Sequence, residues 1–109
     1  MENIVDLANV VSVLSKTGSD PKLYYNKLEE LKHKVQAEKD TKLLYEIIDK
    51  DVIQLSLPMD ILRLIFEKFN VLGERTPKVL EWFGCMLMFY GSSNEWSEGE
   101  ELVAESKIS

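Results

Sequence analysis

The chain has 109 residues, of which 45% are apolar and 29% are charged. This length is that of one ordinary domain and is sufficient to bury a core, so we expect a single domain over residues 1–109. The net charge of -6, from 13 basic and 19 acidic residues, argues against a protein that binds nucleic acid.

The N-terminal segment predicts an amphipathic helix over about residues 3–16. Apolar side chains recur there at steps of three and four residues, at Ile4, Leu7, Val11 and Leu14. Gly18 follows, and glycine suits the left-handed conformation that commonly ends a helix. We therefore expect the chain to turn at this point.

A second helix is predicted over about residues 21–37. Ser19 or Asp20 caps it, and a proline follows in the first turn, where no backbone donor is needed. Its apolar face carries Tyr24, Leu28, Leu31 and Val35. The opposite face alternates lysine and glutamate, with pairs such as Glu30 and Lys34 spaced for an ion pair.

A third helix is predicted over about residues 41–50 and a fourth over about 58–72, each with a broad apolar face. The stretch 52–57 between them alternates apolar and polar residues, which in isolation favours a strand. Because the chain offers no second strand to pair with it, we interpret this stretch as an extended connection packed on the helices. Gly73 is expected to end the fourth helix.

A fifth helix is predicted over about residues 77–90, ended by Gly91. A sixth is predicted over about 95–106, because Ser97 and Glu100 match the Ser-x-x-Glu capping box. Five to six short antiparallel helices with brief connections therefore predict an all-α fold, either a helical-hairpin superhelix or a bundle.

The fifth helix differs from the others because its only charged residues, Lys78 and Glu81, lie in its first turn. A helix that is apolar all round is normally central, with neighbours on several sides. The alternative is that the face formed by Trp82, Met86 and Phe89 is partly open and receives a partner, since aromatic surfaces with methionine adapt to other chains.

Residues 80–91 read Leu-x-x-Phe-Gly-x-x-Leu-x-x-x-Gly. This order of large and small residues resembles the first helix of a tetratricopeptide repeat, and the resemblance covers about residues 77–106, one repeat. It implies two antiparallel helices that approach closely at the small residue Gly84, with Trp96 near the start of the second helix. It also implies a groove that binds a protein or peptide.

The chain lacks the residue constellations that are typical of catalysis. Cys85 lies in the most apolar stretch, where a buried and inert thiol is expected, and His33 lies between two lysines on the solvated side of the second helix. Glu30 and His33 have a spacing used by di-iron bundles, but such a site needs a second histidine. Phosphate-binding glycine loops and paired-cysteine zinc motifs are absent. We therefore expect no enzymatic activity, no cofactor and no metal site.

The sequence favours a reduced, cytoplasmic protein. Its first six residues contain two acids and no basic residue, unlike a secretory signal, and its longest apolar run, 82–90, has about half the length of a membrane span. The single cysteine fits a reducing compartment. Lysine far outnumbers arginine, which is typical of an AT-rich coding source such as a low-GC bacterium.

The predicted function is interaction with another protein or peptide, without nucleic acid or membrane. The candidate partner-binding residues are large or acidic and lie towards the C-terminus: Trp82, Met86, Phe89, Trp96, Glu98 and Glu101. The five acids within 95–105 favour a basic partner.

Three interpretations of these residues stay open. In the first, the chain is a helical adaptor. In the second, it is an immunity or inhibitor protein that neutralises a toxin or enzyme through an acidic surface. In the third, the large residues simply fill the core. The fifth helix also offers a surface for a homo-oligomer.

Overall fold

A computed structural model describes residues 3–50 and 56–108 of the chain. Within these ranges it contains no strand and six helices: α1 (Ile4–Thr17), α2 (Pro21–Ala37), α3 (Thr41–Asp49), α4 (Met59–Val71), α5 (Pro77–Tyr90) and α6 (Ser93–Ile108). The predicted all-α class is therefore confirmed. The expected extended connection at 52–57 lies largely outside the described residues.

The turn between α1 and α2 follows from local chemistry. Gly18 adopts the predicted left-handed conformation with φ 60°, and its N–H donates to the carbonyl oxygen of Leu14 at 3.1 Å. Of the two candidate caps for α2, the structure selects Asp20, whose side chain accepts from the N–H of Leu23 at 3.0 Å. A proline then occupies the first turn of α2, as predicted.

The end of α4 is closed by a Schellman motif. Gly73 has a φ of 78°, and its N–H donates to the carbonyl oxygen of Asn70 at 3.1 Å. The N–H of Glu74 donates to the carbonyl oxygen of Phe69 at 2.8 Å. These two bonds satisfy carbonyl groups that the helix end would otherwise leave without partners.

The predicted start of α6 is wrong. The capping box uses Ser92 and Glu95 rather than Ser97 and Glu100: the hydroxyl of Ser92 accepts from the N–H of Glu95 at 3.4 Å, and the Glu95 side chain accepts from the N–H of Ser92 at 3.0 Å. Ser-x-x-Glu occurs twice in succession, and the first copy directly follows Gly91 after α5. The helix therefore begins at Ser93, two residues before the predicted bound of about 95.

The chain divides into two compact units, Met1–Lys68 and Phe69–Ser109. In the first unit, α1 packs on α2 and on α3. The ammonium group of Lys32 on α2 lies 3.1 Å from a carboxylate oxygen of Asp60 on α4. The predicted ion pair between Glu30 and Lys34 is present, with the two groups 3.9 Å apart.

The core of the first unit is aliphatic. Its most deeply buried large side chains are Ile4, Leu7, Leu31, Leu44, Ile47, Ile61, Leu62 and Ile65. They include apolar residues spaced by three or four positions, as the periodicity of the sequence predicted.

The second unit is built around the pair α5 and α6, which pack closely on each other. Three aromatic rings meet in this unit: the ring of the half-buried Trp82 meets that of Phe69 edge to face, with centroids 6.4 Å apart, and that of Phe83 at 5.6 Å. None of the helices in the described ranges has both the length and the hydropathy required to cross a bilayer.

Candidate interaction surface

Helices α5 and α6 form an antiparallel pair, as their contacts show. Gly91 at the end of α5 lies against Glu95 in the first turn of α6, whereas Gly84 in the middle of α5 lies against Gly99. Earlier residues of α5 thus meet later residues of α6, as in an antiparallel pair. The pair presents one connecting turn, residues 91–92, and an opposite end where α5 begins and α6 finishes.

The close approach of the pair requires two glycines. A Cβ atom on Gly84 would lie 2.8 Å from the carbonyl oxygen of Gly99 and 2.8 Å from a methyl carbon of Val103. A Cβ atom on Gly99 would in turn lie 2.5 Å from the carbonyl oxygen of Gly84. Both positions are buried, so each glycine leaves space that the backbone of the other helix occupies. The sequence identified Gly84 but not Gly99, which is separated from it by the turn.

The opposite end of the pair is held by an ion pair. The guanidinium group of Arg75, just before α5, contacts both carboxylate oxygens of Glu105 on α6, at 2.7 and 2.8 Å, and also donates to the side-chain oxygen of Asn70 at 2.9 Å. These charge-assisted bonds lower the pKa of Glu105 and raise that of Arg75. The two helices are therefore joined both at their middle and at this end.

One side of α5 is buried, and one of the predicted partner-binding residues lies on it. The buried positions are Val79, Leu80, Phe83, Gly84, Met86 and Leu87. Met86 is only 7% exposed, so it belongs to the core and not to a partner-binding surface. The expectation that Trp82, Met86 and Phe89 form one open face is therefore wrong at its middle residue.

The other side of α5 carries an open strip, which we define as Trp82, Cys85 and Phe89. Trp82 and Cys85 are half-buried, and Phe89 is 78% exposed. The buried thiol expected from the sequence is therefore wrong, since Cys85 reaches the surface. The signal for this strip was present in the two charged residues of the helix. Continuing the helical spacing from Lys78 and Glu81 leads to Cys85 and Phe89, not to Met86.

A shallow groove runs beside the strip along the first half of α5. It has a volume of about 540 Å³ and is lined by Pro77, Lys78, Glu81, Trp82 and Cys85. The groove is open to solvent and combines an indole ring, a thiol, a carboxylate and an ammonium group. Such a lining suits a side chain of a partner protein better than an enclosed small molecule, because it covers a ligand on one side only.

The strip continues into an aromatic tip next to the turn, which we define as Phe89, Tyr90 and Trp96. Tyr90 is 62% exposed and Trp96 is 45% exposed. Trp96 lies in the first turn of α6, one residue after Glu95, whose Cβ lies next to Gly91 at the end of α5. Tyr90 was not recognised from the sequence, although its place at a helix end next to glycine favoured exposure.

Acidic residues are frequent along α6. Of the two predicted acidic contact residues, Glu101 is exposed and Glu98 is half-buried, and Glu100 between them is exposed as well. The segment between Lys78 and Lys107 contains six glutamates and no basic residue. The α5–α6 pair therefore carries an excess of negative charge.

The two residues considered for catalysis belong to different compact units. His33 is exposed on α2 in the first unit, whereas Cys85 is in the second unit. Over the described ranges, no group of three or more histidine, cysteine or acidic residues is arranged to hold a metal ion.

None of the protein families, curated proteins or solved structures compared with this chain matches it.

Proposed function

We propose that the chain is a small helical interaction module that binds another protein or peptide through the α5–α6 pair. The observation that carries this proposal is the aromatic tip, which exposes three large rings within eight residues of the chain. Aromatic side chains are enriched at the centres of interfaces because they bury much area with little loss of conformational freedom. On this proposal the chain has no catalytic activity of its own.

The helix pair also supports the proposal of a tetratricopeptide-like unit in residues 77–106. Its two helices are antiparallel, and they approach most closely at Gly84, where that repeat pattern has a small residue. Repeats of this kind present side chains of paired helices to protein or peptide ligands. We further propose a cytoplasmic location, because a half-exposed single thiol is compatible with a reducing compartment.

The experiment that tests the function compares capture of proteins by four forms of the full chain. Wild type, Phe89→Ala, Trp96→Ala and the control Tyr25→Ala are immobilised and exposed to an extract of the source cells. Tyr25 is a matched control because it is an aromatic residue of the first unit that is 65% exposed. Circular dichroism of each form verifies that it is folded.

We expect a protein that is retained by wild type and by Tyr25→Ala and is lost from both tip variants. That protein is then purified and titrated against the same four forms, with a loss of about tenfold or more in affinity expected for each tip variant. Equal capture by all four forms, or capture of nothing beyond a blank resin, would contradict the proposal.

A second candidate is an inhibitor or immunity protein that covers a basic site of a toxin or enzyme. The supporting observation is the acidic segment between Lys78 and Lys107, since complementary charge accelerates association with a basic surface. The two functions separate once the partner is purified. An inhibitor abolishes the partner's enzymatic or toxic activity at equimolar concentration, whereas an adaptor leaves that activity unchanged.

A further inference from the structure

We propose that a cavity at the turn between α1 and α2 binds an organic cation with a quaternary ammonium group. The cavity lies in the first unit and uses no residue of the α5–α6 pair, so this inference goes beyond the interaction function proposed for that pair. It follows from the size of the cavity, from two tyrosine rings that line it and from the one charged side chain in its lining.

The cavity is small and open to solvent. It has a volume of about 230 Å³ and is lined by the last turn of α1, by Gly18 and by the start of α2. Pockets for drug-sized ligands have volumes of about 300–1,000 Å³. This cavity is therefore the right size for a head group of a few heavy atoms, with the rest of the ligand in solvent.

Two aromatic rings form adjoining walls of the cavity. Tyr24 and Tyr25 both line it, with ring centroids 5.5 Å apart and ring planes inclined by 63°. A cation is attracted to the face of an aromatic ring when it lies within about 6 Å of the centroid, so one cation can interact with both rings. Tyr24 is half-buried and Tyr25 is 65% exposed, which leaves the walls accessible from solvent.

The only charged side chain that lines the cavity is acidic. It belongs to Asp20, whose Oδ1 atom accepts from the N–H of Leu23 at 3.0 Å. This bond uses one of the two carboxylate oxygens and leaves the second available to face a cation. Lys16 and Lys22 are exposed and do not line the cavity. A ligand inside it therefore meets a negative charge.

The ends of the two helices do not reverse this preference. The C-terminus of α1 carries about half a negative charge and the N-terminus of α2 about half a positive charge, so the two offset each other. The carboxylate of Asp20 then remains as a full charge. An anion would also find few donors at the start of α2. Pro21 has no N–H, and the N–H groups of Leu23 and Tyr24 both donate to Asp20.

A quaternary ammonium group fits this lining better than other cations do. A metal ion takes several oxygen ligands, and the cavity offers one carboxylate. A primary ammonium group has three N–H donors that each require an acceptor. Methyl groups on the nitrogen remove that requirement and can pack on the tyrosine rings and on Leu14, while the positive charge faces Asp20.

The test is a titration of the isotope-labelled full chain with choline, followed by the backbone amide signals in nuclear magnetic resonance. Dimethylbutanol, in which carbon replaces the nitrogen of choline, is the neutral control of the same shape. We expect choline to shift the signals of residues 14–25 with a millimolar dissociation constant, and dimethylbutanol to leave them unchanged.

A second pair of ligands distinguishes two sources of the same chemistry. One short peptide contains trimethyl-lysine, and its control contains lysine at that position. Tighter binding of the trimethylated peptide than of choline would identify a modified protein side chain as the source, whereas tighter binding of choline would identify a free amine. Both results support the cation site.

Four variants localise the binding. Asp20→Asn removes the charge but retains the cap, because asparagine caps a helix as well as aspartate does. Asp40→Asn, at the cap of α3, is its matched control. Tyr25→Leu removes a ring, and Tyr25→Phe retains one. We expect the affinity for choline to fall about threefold or more in Asp20→Asn and Tyr25→Leu, and to be unchanged in the other two variants.

Three results would overturn the inference. Equal shifts with choline and dimethylbutanol would show that the charge is not recognised. Shifts that persist in Asp20→Asn and Tyr25→Leu would place the binding elsewhere, and the absence of shifts well above millimolar choline would mean that the cavity binds no such cation. Each of these results leaves the function of the α5–α6 pair intact. A protein captured through the cavity would be lost from Tyr25→Ala and kept by the tip variants, which is the reverse of the pattern expected for the tip.

Discussion

Gly84 occupies the point where α5 and α6 approach most closely. Alanine is favoured over glycine in a helix interior by about 1 kcal/mol, so Gly84→Ala would stabilise an isolated helix. Here the added methyl group would lie 2.8 Å from a backbone oxygen of α6, which cannot rotate away. We expect the variant to be less stable, by about 1–3 kcal/mol in the free energy of unfolding measured in urea. An increase in stability would contradict the close contact.

Gly99 provides the control for that prediction. Gly99→Ala should also destabilise, and the combination with Gly84→Ala should cost less than the two separate losses together, because one displaced helix already accommodates the second methyl group. Ser97→Ala on the exposed side of α6 should have little effect. Additive losses for the two glycines would indicate that they do not share one contact.

Ser92 determines where α6 begins. Ser92→Ala removes the hydroxyl that accepts from the N–H of Glu95, so the free energy of unfolding should fall by about 1 kcal/mol. Ser97→Ala is the matched control, since Ser97 lies within the helix and serves as no cap. A larger loss of thermal stability for Ser97→Ala than for Ser92→Ala would contradict this assignment and favour the capping box expected from the sequence.

Glu105 makes the stability of the second unit depend on pH. Arg75 lowers the pKa of this carboxyl in the folded state, so the pair stabilises the fold above the pKa of an ordinary glutamate. This contribution is lost as the pH falls through the lowered pKa, because protonation removes the charge. At pH 7 Glu105→Gln should have a lower melting temperature than wild type, and the difference should disappear at strongly acidic pH. Glu101→Gln, at an exposed position, should show no such convergence.

The second unit contains both buried and exposed large apolar residues, and the two kinds should respond differently to substitution. Met86→Ala should lower the free energy of unfolding by about 2–5 kcal/mol, because Met86 is buried. Trp96→Ala should leave stability close to that of wild type, because its ring is 45% exposed and removing it leaves a smaller cavity. Chemical unfolding of both variants distinguishes a core residue from a surface residue. A larger loss for Trp96 than for Met86 would reverse this assignment.

In helix α5, the charged residues indicate which side faces solvent, and the apolar residues do not. The apolar side chains of α5 allow several faces, and the expected set Trp82, Met86 and Phe89 is as well spaced as the observed one. Lys78 and Glu81 mark the solvent side, and the helical repeat carries that side on to Cys85 and Phe89. Even two charged residues at one end can therefore orient a helix that is otherwise apolar.

The whole molecule is expected to be strongly helical in solution. Helices make up 82% of the described residues, and no strand occurs among them. Far-ultraviolet circular dichroism should show the two deep minima of an α-helical protein, at about 208 and about 222 nm. On heating, the signals at both wavelengths should be lost together. A strand content above about a fifth, which is the average for globular proteins, would contradict the architecture.

The charge distribution also belongs to the scale of the whole molecule. Acidic residues exceed basic ones by six across the chain, but the excess is concentrated between Lys78 and Lys107. A field of one sign over a limited surface steers partners of the opposite sign more effectively than the same charge spread evenly. The surface proposed for interaction and most of the excess negative charge are therefore on the same helix pair.

The amino-acid sequence by itself determined the helical class and most helix boundaries. The bounds of α2 and α5 agree with their predicted bounds, because Asp20, Thr76 and the prolines that follow act within a single turn. Local signals of this kind need no knowledge of the rest of the fold. They failed only at α6, where two equivalent capping boxes follow each other.

Only the tertiary structure decided which side of α5 is open and why Gly99 is a glycine. Met86 and Cys85 are neighbours in sequence, yet one is buried and the other reaches the surface, because adjacent helical residues differ in direction by about 100°. Which of them is covered depends on where α6 and the core lie. Gly84 and Gly99 likewise meet only after the chain reverses, so their shared requirement for a missing side chain is a property of the packed pair and not of either helix alone.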